Sequence, residues 1–305
     1  MLCRPTYPLA SAETQLRRLG DLALFLGDVK FAQSIYDTVR KDYQHDKAMR
    51  HLAGINEALA FCAALLSDTP TRDAEPMAEV AVSLYNRQRM SAWATRAVLL
   101  TAEAYVARGF YREIPALLLR VVSDVRSNGR GGTLSYDWAD QSFARTVRVR
   151  AHVPQESDLR SAAMLEMAGY AYMRTTPIMV RKHALHLILA GQRYNKAGQV
   201  RQRRVDSHIQ GHVAHTYHPA NIGGRRAQRD RAHHCYITAA RVYDQRGWGL
   251  AEEHINFTLA RQSFHLGRSA QALLYFVRLL NANSRQSVTQ QTAYIREMVF
   301  IYKVR

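Results

Sequence analysis

The stretch Leu26-Gly-Asp-Val-Lys-Phe-Ala-Gln-Ser-Ile-Tyr36 decides the predicted fold of this chain. Its spacing recurs near the other end, in Leu266-Gly-Arg-Ser-Ala-Gln-Ala-Leu-Leu-Tyr-Phe276. In both stretches an alanine follows the glycine by five residues and an aromatic residue follows it by nine. Glycine ends one helix in a tight turn, alanine lets the next helix approach closely, and the aromatic ring fills the gap to the next hairpin. This spacing is typical of a tetratricopeptide-type helical hairpin.

Helical periodicity extends outward from both stretches. Apolar residues recur at helical spacing in 16–26, which leads into the stretch 26–36. Ile255, Leu259 and Leu266 recur in the same way and lead into the stretch 266–276. Gly109 marks a partial third match, with Ile114 at the alanine position. No segment shows a convincing strand pattern. The sequence therefore predicts an all-α fold, an α-solenoid of TPR-like helical hairpins with two irregular insertions.

Further helices are expected from the same periodicity, with bounds good to a few residues. They lie near 46–67, 75–89, 91–108, 111–123, 156–174, 178–197, 229–245 and 287–302. Pro70 and Pro76 are expected to bracket a polar turn before one of them.

Two segments do not follow the helical pattern. Residues 125–155 are rich in glycine and arginine, and residues 200–228 are rich in histidine and arginine. Irregular segments of this length are uncommon inside compact domains. The predicted organisation is therefore a helical-repeat segment at 11–124, an irregular insert at 125–155, a second helical segment at 156–199, an irregular insert at 200–228 and a third helical segment at 229–303.

Composition indicates a packed protein with an unusual charge. Of 305 residues 47% are hydrophobic, and the formal net charge is +17. A positive charge of this size is typical of proteins that bind nucleic acid or an anionic membrane. Each irregular segment holds five arginines, and the remaining arginines are scattered along helix faces. The charge therefore forms no continuous binding strip in the predicted helices.

The sequence also bears on the cellular compartment. Three widely spaced cysteines, Cys3, Cys62 and Cys235, fit a reducing compartment without a disulfide framework. No apolar run approaches the length of a membrane span. Residues 1–8 lack the apolar core of a signal peptide. A cytoplasmic protein is the expectation.

Candidate chemical sites are few. His208, His212, His215 and His218 form the strongest metal-like pattern, but no helix is expected to hold their rings in place and Asp206 is the one nearby carboxylate. A loop that happens to contain histidines is the preferred interpretation. We therefore predict no metal site. The glycine-arginine tracts 129–132 and 223–226 lack the signature of a phosphate-binding loop, so no nucleotide cofactor is expected.

Two helical clusters resemble acid-base groups. His183 and His186 share a helix face, where a packed or solvent-facing pair is favoured over a ligand pair. Adjacent side chains in Glu252-Glu253-His254 diverge by about 100° on a helix, so they do not converge on a substrate. The two glutamates instead suit a helix amino terminus. No catalytic, cofactor-binding or metal residue is predicted.

Longer motifs resemble a known family. They are Gly247-Trp-Gly-Leu-Ala-Glu-Glu-His-Ile-Asn-Phe-Thr-Leu-Ala-Arg-Gln-Ser-Phe264, Ser157-Asp-Leu-Arg-Ser-Ala, 177–198 with Met179-Val-Arg-Lys-His-Ala at its start, Tyr294-Ile-Arg-Glu-Met-Val-Phe-Ile-Tyr302 and, more weakly, Gln15–Ala23. This set resembles the solenoid of the trafficking protein particle (TRAPP III) complex subunit 8 family, which is Trs85-like. The resemblance is stronger from Glu156 onward and looser before Asp124.

The resemblance implies a function without catalysis. In that family the subunit is a large scaffold that joins the TRAPP core and helps to place the complex on membranes. It supports activation of a Rab1/Ypt1-type GTPase in ER-to-Golgi traffic and autophagy, while exchange activity resides in the core subunits. The implied partners are TRAPP core subunits, the GTPase indirectly, and Golgi, ER-derived or autophagosomal membranes through the complex. No enzyme activity, cofactor or nucleic acid is expected.

The two irregular segments interrupt the family pattern. Both begin with Val-Arg and end with Gln, and the chain ends Lys303-Val-Arg305. Removing both segments joins flanks that match the family. A retained in-frame intron has these boundaries, since GT begins a valine codon and CAG encodes glutamine. We therefore hypothesise that both segments and the carboxyl end are gene-model artefacts, which transcript sequencing across the junctions would test.

A rival interpretation keeps the helical repeats and changes the partner. An unrelated basic helical-repeat protein would bind RNA or an acidic membrane surface through its charge. Binding to TRAPP core subunits, as against salt-sensitive RNA binding, distinguishes the two.

Overall fold

The computed structural model describes residues 7–67, 70–127, 155–198, 220–244, 246–280 and 286–304. Every regular element in these ranges is an α-helix, and none is a strand. The helices are α1 (Ala12–Phe25), α2 (Val29–His45), α3 (Met49–Leu66), α4 (Pro70–Arg87), α5 (Ser91–Arg108), α6 (Ile114–Ser127), α7 (Gln155–Tyr172), α8 (Val180–Gly198), α9 (Ala220–Tyr243), α10 (Gly249–His265), α11 (Ser269–Leu279) and α12 (Val288–Val304). The predicted all-α class is confirmed.

The helices form two compact units, α1–α6 and α7–α12. Within each unit the main packing is between helices that follow one another along the chain. In the first unit α3 also packs on α5, and α4 on α6. Contacts of this kind, between each helix and its near neighbours in sequence, are those of an α-solenoid.

The two hairpin motifs fold as predicted. Gly27 and Gly267 adopt positive φ angles of 88° and 77° at the turns after α1 and α10. A residue with a β-carbon rarely adopts this conformation, which explains the glycine at both sites. Ala32 and Tyr36 on α2 are fully buried, and so are Ala272 and Phe276 on α11.

The partial third match also forms a turn. Gly109 has a φ of 79° and caps α5, and Ile114 begins α6 as a buried residue. The isoleucine at the alanine position is therefore tolerated by the packing of α5 and α6.

The structure corrects one local prediction. The sequence placed a polar turn between Pro70 and Pro76, but α4 begins at Pro70 and contains Pro76 in its first two turns. Proline at the start of a helix leaves no hydrogen bond unmade, because the first amide donors have no intrahelical partner. Pro76 lies beyond that first turn, so the packing of α4 against α3 and α5 holds the helix together there.

Most of the two irregular segments falls outside the described residues, which leave out 128–154 and 199–219. At their edges α6 continues to Ser127, α7 begins at Gln155, and α9 begins at Ala220. Residues 220–228 are therefore helical, although no helical period is visible in their sequence. The proposed domain boundaries and the intron hypothesis stay predictions.

Candidate interaction groove

The histidines and glutamates noted for chemistry in the sequence that fall within the described ranges lie on helices α8 and α10. The four histidines at 208–218 lie outside the described residues. Within the described ranges no three His, Cys, Asp or Glu side chains come together as metal ligands. Glu252 lies in the first turn of α10, where a carboxylate meets the positive end of the helix dipole.

His183 and His186 are packing residues of α8. The Nδ1 atom of His183 lies 2.8 Å from the carbonyl oxygen of Gly169 on α7, and that of His186 lies 2.7 Å from the carbonyl oxygen of Lys182. A carbonyl can only accept, so each Nδ1 carries a proton and donates it. Burial, more than the neighbouring Lys182 and His183, lowers the pKa of His186. The two rings also lie beside Tyr170 and Tyr172 of α7, with ring centroids 5.5 and 5.0 Å apart.

The first unit contains a concave groove on one side of its helices. It encloses about 780 Å³ and is formed mainly by the alternate helices α1, α3 and α5. Its lining residues include Arg17, Asp21, Leu24, Tyr36, Tyr43, Arg50, His51, Gly54, Glu57, Ala58, Phe61, Tyr85, Met90, Trp93, Arg96 and Leu100. Stacked hairpins present such surfaces for partner binding.

A buried carboxylate anchors the groove wall. Glu57 on α3 is only 5% exposed and accepts a 2.7 Å hydrogen bond from the Tyr85 hydroxyl on α4. Arg96 on α5 donates to both oxygens of Glu57, from Nε at 2.8 Å and from Nη2 at 2.7 Å. This pairing satisfies the buried charge and joins three consecutive helices. The hydrogen bond to Glu57 raises the pKa of Arg96, and burial, followed by the bond to Glu57, raises that of Tyr85.

A second carboxylate is paired at the other end of the groove. Asp21 on α1 accepts a 2.7 Å hydrogen bond from the Tyr36 hydroxyl and forms an ion pair with Arg17 at 2.9 Å. Arg17 also lies 4.9 Å from the centre of the Tyr36 ring and donates to the carbonyl oxygen of Gly54. Both acidic side chains of the groove therefore already have cationic partners.

One arginine of the groove differs from the others. Arg50 is exposed and makes no ion pair with any residue in the described ranges; its Nε donates a weak hydrogen bond to the Met90 sulfur at 3.4 Å. The pKa of neighbouring His51 is lowered by burial and then by the charges of Arg50 and Arg17. The rim of the groove around His51 is therefore positive.

The second unit repeats the buried pairing. Glu166 on α7 is buried, the Tyr194 hydroxyl on α8 donates to it at 2.7 Å, and Arg231 on α9 reaches the same oxygen at 3.3 Å. Glutamate and tyrosine are 28 residues apart in both units. We call these two sets, Glu57–Tyr85–Arg96 and Glu166–Tyr194–Arg231, the first and second triads.

The sequence carries traces of this duplication, although the helical periodicity alone does not reveal it. The tyrosines stand in Tyr85-Asn-Arg87 and Tyr194-Asn-Lys196, and each arginine is followed by a buried alanine, Ala97 or Ala232. The arginines are 135 residues apart and the glutamates 109. The extra length lies between Tyr194 and Arg231, where residues 199–219 separate α8 from α9. Because of this extra length, the two triads do not share one constant residue spacing.

The stacked helices and the groove define the class as a helical-repeat protein with a concave groove. None of the helices in the described ranges is long and apolar enough to cross a membrane. Residues 3–109 match the TRAPPC-Trs85 family, described as the ER-Golgi trafficking TRAPP I complex 85 kDa subunit. Human "Trafficking protein particle complex subunit 8" is 32% identical over 298 residues, which cover 97% of this chain and 17% of the human protein.

The chain belongs to the Trs85/TRAPPC8-like family, as its resemblance predicted. It spans only 17% of the length of the human relative. The family match lies in the part before Asp124, which held the weakest of the quoted motifs. The groove and the first triad lie within these matched residues.

Proposed function

We propose that this chain is a non-catalytic scaffold segment of a TRAPP complex. The observation that carries the proposal is the similarity to the human subunit along 97% of the chain, together with a stack of helices that offers a groove for partners. Because the family description names TRAPP I, membership in TRAPP III is part of the proposal. The segment would support Rab1/Ypt1-type GTPase activation in ER-to-Golgi traffic and autophagy by contributing to assembly, while exchange occurs in the core subunits.

The proposed partners are the TRAPP core subunits, with the GTPase engaged indirectly. Membrane association would be peripheral, through the complex, on Golgi, ER-derived or autophagosomal membranes. The absence of enzyme activity belongs to the same proposal, because the groove's acidic residues are engaged in structural pairs.

Affinity purification of the tagged 305-residue chain tests the proposal. We expect TRAPP core subunits to co-purify at physiological salt, and we expect the recovered complex to stimulate nucleotide exchange on a Rab1/Ypt1-type GTPase. A matched bait is another helical-repeat protein of similar positive charge, which should recover none of these subunits.

The charge of +17 supports one rival function, a basic helical-repeat protein that binds RNA or acidic lipid. Recovery of RNA or binding to anionic vesicles, lost steeply as salt rises, without TRAPP core subunits would overturn the TRAPP proposal in favour of this rival.

A further inference from the structure

We propose that the groove of the first unit binds a peptide segment of a partner protein that carries a carboxylate beside an apolar side chain. This inference goes beyond membership of a complex, because it assigns a binding site and the chemistry of its ligand. It rests on three features of the described groove: an exposed aromatic anchor, an arginine without a carboxylate partner, and the absence of both from the equivalent place in the second unit.

The aromatic anchor is Trp93 at the start of α5. Its side chain is 45% exposed although it lies beside the buried pairing, with the Arg96 guanidinium 4.0 Å from the ring centre and the Tyr85 ring 6.3 Å away. These neighbours hold the indole in one place before a ligand arrives. Leu100, two turns further along α5, is also exposed and lines the same groove. A fixed tryptophan beside a leucine suits an apolar side chain, and tryptophan is among the residues that contribute most to binding at interfaces.

The charged residues of the groove favour a carboxylate as the polar group of the ligand. Asp21 is paired with Arg17 and the buried Glu57 is paired with Arg96, so each acidic side chain of the groove already has a cationic partner. Arg50 is exposed and has only the Met90 sulfur as a hydrogen-bond partner. A carboxylate next to Arg50 would form the ion pair that the described residues do not provide.

The same distribution disfavours a nucleic acid. A polyphosphate backbone needs a continuous basic tract, whereas this groove offers one arginine that has no carboxylate partner among the described residues. A single carboxylate beside an apolar group matches one such cation.

Comparing the two triads distinguishes the residues that pack the helices from the residues that would bind the ligand. Counting back three residues from the triad arginine gives Trp93 in the first unit and Gln228 in the second. Counting back seven residues from the triad glutamate gives Arg50 in the first unit and Leu159 in the second. The second unit therefore keeps the buried pairing without the anchor and without the free cation. The pairing alone serves helix packing, and Trp93 with Arg50 adds recognition.

Binding of defined peptides to the full 305-residue chain tests the proposal. The probes are fluorescein-labelled glycine-serine peptides that carry one glutamate beside one leucine, one lysine beside one leucine, or one glutamate beside one serine, and a labelled oligouridine. We expect the glutamate-leucine peptide to bind best. Trp93→Ala and Arg50→Glu should each weaken its binding about ten-fold, since loss of an anchor or reversal of a contacting charge has this size of effect.

Two variants serve as matched controls. Arg18→Glu reverses an exposed charge on α1 outside the groove, and Arg231→Met removes the arginine of the second triad, where Gln228 stands at the position of Trp93. Both should change the dissociation constant by less than about two-fold, because surface substitutions distant from a site have small effects. Circular dichroism of each variant establishes that its helices are retained. Arg50→Glu alters an exposed side chain, so it keeps the test decisive if Trp93→Ala unfolds.

Four results would overturn the inference: no binding of the glutamate-leucine peptide, equal binding of the lysine-leucine peptide, unchanged binding by Arg50→Glu, or displacement of the bound peptide by oligouridine. None of them bears on membership of the TRAPP complex, which co-purification measures separately. Loss of co-purification with retained peptide binding would in turn contradict the proposed function alone.

Discussion

The ring of Tyr36 occupies the space beside Gly20 that a β-carbon would need. A β-carbon at residue 20 would lie 2.5 Å from Cε1 of Tyr36, closer than any normal contact. The ring cannot easily move, because it is fully buried and its hydroxyl donates to Asp21 at 2.7 Å. Gly191 and the buried Tyr236 repeat the arrangement between α8 and α9, at 2.7 Å. A glycine in one helix therefore admits the tyrosine of the next in both units.

Gly20→Ala and Gly191→Ala should each destabilise the unit in which they lie. Alanine favours a helix over glycine by about 1 kcal/mol, but forcing a methyl group into a filled space costs about 1–3 kcal/mol. We expect the clash to exceed the gain in both variants, lowering the midpoint of urea unfolding. Hydrogen exchange measured by mass spectrometry should show faster exchange in α1 and α2 for Gly20→Ala, and in α8 and α9 for Gly191→Ala.

Gly54→Ala is the matched control for those two variants. Gly54 is also inside a helix, but its added β-carbon would lie 3.5 Å from the Tyr85 hydroxyl, an ordinary contact. This variant should be as stable as the unmodified chain or up to about 1 kcal/mol more stable. If all three alanine variants changed in stability by the same amount, the close approach of tyrosine to Gly20 and Gly191 would not explain why glycine stands at those two positions.

The fold followed from local spacing, whereas the groove did not. Leu26-Gly27 and Leu266-Gly267 predict turns because a positive φ angle is a property of the glycine itself. In the sequence Glu57 is a polar interruption of an apolar helix, and its partners Tyr85 and Arg96 lie 28 and 39 residues further along the chain. Pairings over such separations depend on how helices stack, which the residue pattern of one helix does not contain. Trp93 likewise lines the groove only because α5 packs on α3 and α4.

Removing the arginine of the first triad should destabilise its unit more than the same change in the second. Arg96 holds both oxygens of Glu57, whereas Arg231 reaches one oxygen of Glu166 at 3.3 Å and its side chain is 63% exposed. Removing one partner of a buried pair costs about 3–5 kcal/mol, and partial exposure reduces this. We expect Arg96→Met to cost about 2 kcal/mol and Arg231→Met about 1 kcal/mol or less, measured by urea unfolding.

A double-mutant cycle tests whether this cost comes from Glu57. Adding Glu57→Gln to Arg96→Met removes the buried charge that the arginine leaves behind, so the double variant should be less destabilised than the sum of the two single changes. Additive effects would mean that Arg96 stabilises the unit through Trp93 and not through the carboxylate.

Cys62 and Cys235 should resist alkylation in the folded chain. Burial raises the pKa of the Cys62 thiol to about 11 and that of Cys235 to about 12, and the thiolate is the reactive form. Iodoacetamide at about pH 8 should therefore label both slowly, and urea should accelerate labelling strongly as it exposes them. Peptide mapping separates these sites from Cys3. Equal rates with and without urea at either cysteine would contradict its packing in α3 or α9.

The stability of the second unit should fall as the pH drops below about 6.5, the ordinary pKa of histidine. Burial lowers the pKa of His186, and burial followed by the charge of Arg268 lowers that of His233. The unfolded chain therefore binds protons that the folded chain does not, so stability is complete above the unfolded pKa and declines as the pH falls through it. Each such histidine contributes up to about 1.4 kcal/mol per pH unit within this window.

His186→Phe should reduce that pH dependence. The variant keeps an aromatic ring beside Tyr172 and removes a buried Nε2 atom that has no hydrogen-bond partner. Urea unfolding at several pH values, followed by hydrogen exchange in α7 and α8, should show a shallower loss of stability below about pH 6.5 than in the unmodified chain. Between about pH 7.5 and 8.5 the two proteins should change in parallel, because His186 is almost entirely neutral in both the folded and unfolded chain there. An unchanged slope below about pH 6.5 would show that protonation of His186 does not oppose folding.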